Sequence, residues 1–238
     1  ADRVLGASTV FKLSIAGLVV GMALLAVPAA AQQSFQVSIY GGYQGASHSG
    51  IDTTDGDSFT AGWEGLSFKA PIYYGVRGTW WMDDVGLPNV GLSIDFSHTK
   101  VYADEETFDK SPGYTRLEFT DGLNIFTANA LYKFFPDEAF RPYVGVGITY
   151  AAFFGARSTS TLTAISGGTP SNPTTLSIDS KWAATVQVGA AFAIDKNWFV
   201  DARYTYTPLS TRNTLSTGQT LDIKLDPSSV SLAIGYKF

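Results

Sequence analysis

From residue 35 onward apolar and polar side chains alternate with a period of two, and no long segment carries the 3.6-residue period of a helix. Phe35, Val37 and Ile39 alternate with Gln36, Ser38 and Tyr40. Tyr74, Val76, Trp80 and Met82 alternate with Tyr73, Arg77, Thr79 and Trp81, and Val90, Leu92, Ile94 and Phe96 with Ser93, Asp95 and Ser97. The pattern recurs over residues 126–134, 144–150, 182–192, 198–206 and 229–238, which makes eight segments in all. Successive side chains of a strand point to opposite faces, so each segment predicts a strand with one apolar and one polar face.

The connections alternate in length. Residues 83–89, 135–142 and 195–197 read as short turns, whereas 45–71, 101–121, 155–179 and 208–220 read as long polar loops rich in Ser, Thr, Gly and Asp. Short turns at one rim and long loops at the other are the pattern of an outer-membrane barrel. The expectation is therefore all-β: an eight-stranded antiparallel transmembrane β-barrel forming one domain over residues 32–238. A soluble lipocalin-like barrel has the same strand number but keeps Lys and Glu on its outside. Here the polar face is mostly Ser, Thr, Asn, Gln and Gly, which suits a narrow interior. Tyr74, Trp80, Tyr132, Trp182, Trp198, Tyr204, Tyr206 and Tyr236 crowd the apolar face near strand ends, where membrane interfaces favour such rings.

Ahead of the strands lies an apolar run over residues 13–27, preceded by Arg3 and Lys12 and followed by Pro28-Ala29-Ala30-Ala31-Gln32. Its fifteen residues fall short of the ~20 a spanning helix needs. Ala29 and Ala31 form an A-x-A site, so residues 1–31 are expected to be a signal peptide cleaved after Ala31. The last strand runs back from Phe238 through Tyr236 in alternation, like the signal read by the outer-membrane barrel assembly machinery.

Composition then removes whole classes. There is no cysteine, which excludes a disulfide scaffold, a thiolate metal site and a cysteine nucleophile. A formal charge of −5 argues against a phosphate-neutralising nucleic-acid binder. The two histidines, His48 and His98, form no H-x-x-x-H pair, and neither G-x-S-x-G nor a P-loop occurs. Gly145-Val146-Gly147 lies in a strand and reads as small-residue packing. Asp104-Glu105-Glu106 reads as a solvated loop, with a divalent cation bridging to lipopolysaccharide phosphates as the alternative. No metal site and no cofactor are expected.

A barrel of eight strands is just wide enough to be filled by its own side chains. A symmetric turn about Gly86 sets Trp81 opposite Gly91, Thr79 opposite Ser93 and Arg77 opposite Asp95. Arg77, Asp95, Asn129, Gln187, Asp201 and Arg203 are expected inside, with Lys133 and Lys237 inward near the periplasmic rim. These charges are expected to pair and tie strands together; a proton or ion pathway is the alternative. Parity puts His98 on the lipid side, near the outer-leaflet headgroups.

Two resemblances add to this. Phe140-Arg141-Pro142-Tyr143-Val144-Gly145-Val146-Gly147-Ile148-Thr149-Tyr150 and Ile194-Asp195-Lys196-Asn197-Trp198-Phe199-Val200 resemble OmpW-type outer-membrane proteins. So do Thr214-Leu215-Ser216-Thr217-Gly218-Gln219-Thr220, Asp226-Pro227 and Gly235-Tyr236-Lys237-Phe238. That resemblance implies a narrow hydrophobic tunnel passing small apolar compounds, with a tryptophan at its constriction. Trp182 lies at the matching place, although alternation points it outward unless a bulge intervenes. The amino-terminal half resembles lipid A oxidase-like outer-membrane proteins, through Tyr40-Gly41-Gly42-Tyr43-Gln44, Ala61-Gly62-Trp63-Glu64-Gly65 and Tyr73-Tyr74-Gly75-Val76-Arg77. Thr79-Trp80-Trp81, Asp95-Phe96-Ser97-His98-Thr99-Lys100-Val101-Tyr102-Ala103-Asp104 and Glu118-Phe119-Thr120-Asp121-Gly122-Leu123-Asn124 carry it further. It implies oxidation of the proximal glucosamine of lipid A, for which His98, His48, Asp95 and Glu64 are the first candidates.

The favoured expectation is an OmpW-like barrel in the bacterial outer membrane, passing or binding small hydrophobic molecules. A lipid A-modifying enzyme and a structural or adhesive barrel are the alternatives. Outer-membrane lipids and lipopolysaccharide, the assembly machinery and small hydrophobic solutes are the expected partners, and nucleic acid is not.

Overall fold

The computed structural model describes residues 35–53, 58–70, 72–110, 114–153, 160–166, 169–170, 174–178, 181–214 and 220–238. The expected signal peptide, residues 1–31, lies outside them. The described strands are β1 (Phe35–Thr53), β2 (Ser58–Glu64), β3 (Tyr74–Met82), β4 (Leu87–Ala103), β5 (Tyr114–Lys133) and β6 (Phe140–Phe153). They continue with β7 (Ser160–Ser166), β8 (Thr169–Pro170), β9 (Thr174–Ile178), β10 (Lys181–Ala193), β11 (Trp198–Tyr206), β12 (Leu209–Thr214), β13 (Thr220–Leu225) and β14 (Pro227–Lys237). A six-residue helix, α1 (Glu105–Lys110), caps the β4–β5 connection.

Eight of these strands close on themselves in the order β1, β3, β4, β5, β6, β10, β11, β14, all antiparallel. β1 completes the ring by pairing with β3 on one side and β14 on the other, Val37 lying opposite Gly78 and Tyr236. Closure leaves no strand edge in the ring without a partner, the condition a sheet must meet to cross a membrane.

The registers follow the alternation. Arg77 faces Asp95, Thr79 faces Ser93 and Trp81 faces Gly91. The turn below them is a short 3-10 segment, Asp83–Val85, ended by Gly86 at φ +80°, a left-handed conformation that glycine adopts without strain. Gly91 is needed for another reason: a Cβ there would lie 2.5 Å from the Trp81 ring, which covers it inside the barrel.

The four long connections differ from expectation. Instead of loops they carry strand: β1 continues to Thr53 and β4 to Ala103, β5 begins at Tyr114, and β2, β7, β9, β12 and β13 extend the wall above the ring. Ile51 pairs with Ile223 and Asp52 with Ser58, so the wall is hydrogen-bonded from both ends of the chain. These segments also alternate, but their apolar residues are few and far apart in sequence, so Gly, Ser and Thr dominate the local reading.

Candidate functional site

The interior of the barrel is layered. The outer face of the ring is apolar, with Ile39, Ile94, Val146, Ile148 and Leu232 all exposed; Ile94 is 69% open on the outside. Their neighbours in sequence point inward and are polar: Ser38, Arg77, Asp95, Asn129, Gln187, Asp201 and Arg203 are all buried. In a narrow barrel each of these groups must find a partner among the others.

They do so through one connected network. Arg77 Nε donates to both oxygens of Asp95 at 2.9 Å. Arg203 Nη1 lies 3.4 Å from Asp95 Oδ1, so one carboxylate serves two guanidiniums. Asn129 Nδ2 donates to Asp95 Oδ2 at 3.0 Å and to Ser93 Oγ at 3.1 Å. Arg77 also donates to Gln187 Oε1 and, at 3.2 Å, to the Tyr143 hydroxyl, which in turn donates to Asp201 Oδ1 at 3.0 Å. The Arg203 guanidinium rests over the Tyr40 ring, 4.5 Å from its centroid. Two arginines and two aspartates make the layer formally neutral. Its members come from β1, β3, β4, β5, β6, β10 and β11, so the network braces seven of the eight ring strands.

Above this layer runs a chain of threonine hydroxyls. Thr127 bonds Thr149 at 2.7 Å, Thr149 bonds Thr185, and Thr185 bonds Thr207 at 2.8 Å. Two residues further up the same strands the inward positions turn apolar, with Ile125, Ala151 and Leu209 packed together against Ala183. Higher still, inside the wall, Ile51, Phe59, Ala61, Trp63, Val101, Leu117, Ile223 and Leu225 form an apolar cluster from five strands. The Trp63 indole N–H is satisfied there by Ser49 Oγ at 2.7 Å.

Below the charged layer, Trp81, Leu131 and Tyr143 pack together, and Lys133 Nζ lies 4.4 Å from the Trp81 ring centroid and 3.6 Å from Asp83. Lys133 is buried near the periplasmic rim, and Lys237 is half-buried. A cavity of ≈ 40 Å³ lies on the threonine side of the network and one of ≈ 30 Å³ on the Lys133 side; Arg77 lines both, so the charged layer separates them.

Glycines on β6 make room for this packing. A Cβ at Gly147 would lie 2.3 Å from Asn129 Oδ1, and one at Gly145 would lie 2.5 Å from Leu131. Gly145 and Gly147 are small-residue packing inside the barrel, while Val146 between them faces out.

Trp182 requires a correction. Its ring is 71% exposed on the outer face, against Tyr150 at 4.8 Å between centroids. β10 pairs with β6 in unbroken register from Lys181 to Phe192, so the bulge that would turn Trp182 inward is absent and a gate role has no geometry.

The candidates for lipid A chemistry are likewise not brought together. Asp95 is inside the barrel, whereas His98, three residues on, is on the outer face, stacked on Tyr74 with Nδ1 3.2 Å from Asn124 Oδ1. His48 is exposed on β1 and Glu64 is exposed at the end of β2. No hydrogen bond or ion pair joins any two of the four. Asp104 is a helix cap: its Oδ1 accepts from the Thr107 N–H at 2.8 Å and the Thr107 hydroxyl at 2.6 Å, and Glu105 and Glu106 open the first turn of α1. Tyr236 and Phe238 contact each other edge-on at 5.2 Å, and the Phe238 N–H donates to Phe35 O at 3.0 Å beside the closing seam.

Residue-by-residue alternation misses Tyr40 and Tyr143 as network members, the threonine chain and the whole apolar cluster. Tyr143 was visible on the polar face of its strand, two positions before Gly145. The cluster's signal was the short alternation Phe59, Ala61, Trp63.

A closed antiparallel ring, apolar outside and polar inside, defines the class of bacterial outer-membrane barrels. The chain belongs to the outer membrane protein beta-barrel domain family, whose model matches residues 17–238. Outer membrane protein W of Vibrio cholerae serotype O1 is 30% identical over 105 residues, covering 43% of this chain and 46% of that protein. Outer membrane protein W of Escherichia coli K12 is 31% identical over 102 residues, 42% of this chain and 45% of that protein. The match thus spans about half the length of these curated relatives. The crystal structure of outer membrane protein OprG from Pseudomonas aeruginosa has a similar fold, with a TM-score of 0.58 at 16% identity, covering 89% of this chain and 99% of that one. The chain is an OmpW-like barrel of the bacterial outer membrane.

Proposed function

We propose that the barrel takes up small hydrophobic molecules in its outer half, as a binding site or the first part of a narrow passage. The apolar cluster inside the wall carries this reading. Its eight side chains converge from five strands into one buried apolar core, and an apolar guest gains by leaving water for such a surface. The cluster is close-packed, so a guest exchanges its own contacts for those within the cluster. Beneath it the Arg77–Asp95–Arg203 layer forms a polar floor. An apolar solute would have to strip partners from buried charges to cross that floor directly, which is costly. The lipids around the ring and the apolar solute are the partners this arrangement suits.

The test is saturation binding of an apolar naphthylamine dye to the full chain in lipid nanodiscs. Saturable fluorescence enhancement is expected in the parent, with affinity at least tenfold weaker in Ile51→Asn while the ring remains folded. Equal binding by both would sink the proposal. Planar-bilayer recordings should show little or no open-channel current, and a large ohmic conductance would contradict the floor.

A further inference from the structure

The charged layer leaves some of its own atoms unsatisfied. Among the described residues, Asn129 Oδ1, Gln187 Nε2 and Arg203 Nε are buried with no hydrogen-bond partner. All three side chains are more than nine-tenths buried, and all three residues line the ≈ 40 Å³ cavity above the floor. Turning the amides over does not help. Gln187 Oε1 accepts from Arg77 Nη2, where an amide N–H would face a cation. Asn129 Nδ2 donates to the Asp95 carboxylate, where an amide oxygen would face an anion. The neighbouring charges therefore fix both orientations.

The unsatisfied set is mixed, two donors and one acceptor. An anion would answer the donors but meet Asn129 Oδ1 and the Asp95 carboxylate. A cation would answer the acceptor but meet two guanidiniums. A small neutral molecule that both donates and accepts answers all three. A water needs roughly 10–15 Å³ of such space, so the cavity has room for about three or four.

We propose that this cavity is a water-binding site built into the floor. The resident waters accept from Gln187 Nε2 and Arg203 Nε and donate to Asn129 Oδ1, cross-linking β5, β10 and β11. Thr127, Thr185 and Thr207 line the same cavity and offer hydroxyls to the remaining water protons. The inference is independent of what the outer cluster binds. It makes the floor a hydrated seal, in which water is one of the structural parts.

The test is water-selective cross-relaxation NMR on the full chain, isotope-labelled, in lipid nanodiscs. Long-lived water cross-peaks to the Gln187 side-chain amide and the Arg203 Nε proton are expected. Their absence, with both resonances assigned, overturns the site. Ser97→Leu fills the cavity from a lining position and gives a second readout whose sign decides. With bound water, filling strands the polar atoms, so the urea midpoint falls and the cross-peaks vanish. In a dry cavity the added contacts raise the midpoint, which would refute the proposal. Should Ser97→Leu fail to fold, the parent spectrum decides by itself. A chloride-dependent shift of the Arg203 Nε resonance would show an anion site and overturn it equally.

Discussion

The ring and the wall above it use the same period of two with opposite sign. In the ring, Val76, Ile94, Val146 and Leu232 face out while Arg77, Asp95, Asn129 and Gln187 face in. In the wall, Ile51, Phe59, Ala61 and Trp63 face in while Asp52, Ser58, Thr60 and Glu64 face out. The medium outside decides the sign. Lipid around the ring accepts only apolar side chains, which leaves the inner face to the polar ones and obliges them to satisfy one another. Water around the wall reverses the preference, and the hydrophobic effect gathers the apolar residues inside. Stability is therefore carried by hydrogen bonds and ion pairs in the core of one region, and by apolar packing in the core of the other.

The largest way to break this contrast is Asp95→Ala. It leaves Arg77 and Arg203 buried without their shared carboxylate, and should destabilise the ring by about 3–5 kcal/mol in urea unfolding. Replacing Arg77 and Asp95 together by Met and Leu should restore only part of that loss, because Arg203 still lacks the carboxylate it shared. In the wall the corresponding change is Ile51→Ala, at a fully buried position. A cost of about 2–5 kcal/mol is expected there, read as faster proteolysis of the wall with the ring still intact on unheated gels. The outer faces sharpen the point. Ile94→Lys puts a charge on the lipid face and should cost about 2–4 kcal/mol, whereas Thr60→Lys on the water face should be nearly silent; equal effects would mean that the two faces meet the same medium.

The smallest effect belongs to the periplasmic turn. Asp195 Oδ1 accepts from the Trp198 N–H at 2.8 Å and the Asn197 N–H at 2.7 Å. These bonds, the Trp198 one first, hold its carboxyl below the ordinary carboxylate range. Its contribution is thus fully present above the unfolded-state pKa and is lost as pH falls through the lower folded value. Carbon-detected titration of Asp195 should show the depressed midpoint, and Asp195→Asn should remove that part of the acid sensitivity while neutral-pH stability changes little.

Much of the ring was legible because it depends on local rules. Alternation placed Arg77, Asp95, Asn129, Gln187, Asp201 and Arg203 on the inner face, and the hairpin about Gly86 was enough to set Arg77 against Asp95. Trp182 was legible too: its parity already pointed outward, and only the resemblance suggested otherwise. The wall was not legible. Ile51 owes its burial to Ile223, far along the chain, and the register shift between Ala46 and Ser49 changes which parity of β1 faces inward. A lone isoleucine among Gly, Ser and Asp reads as loop until its partner is in place.

The sequence by itself determined the strands of the ring, their number and the face each ring side chain takes, because a pleated strand alternates whatever lies beyond it. Only the closed structure decided which inward groups meet across the interior. Arg77 reaches Gln187, and Tyr143 reaches Asp201, because ring closure makes neighbours of strands distant in sequence. The same closure buries Asn129 Oδ1, Gln187 Nε2 and Arg203 Nε beyond each other's reach, since side chains fixed on separate strands satisfy only the partners the barrel's geometry brings to them.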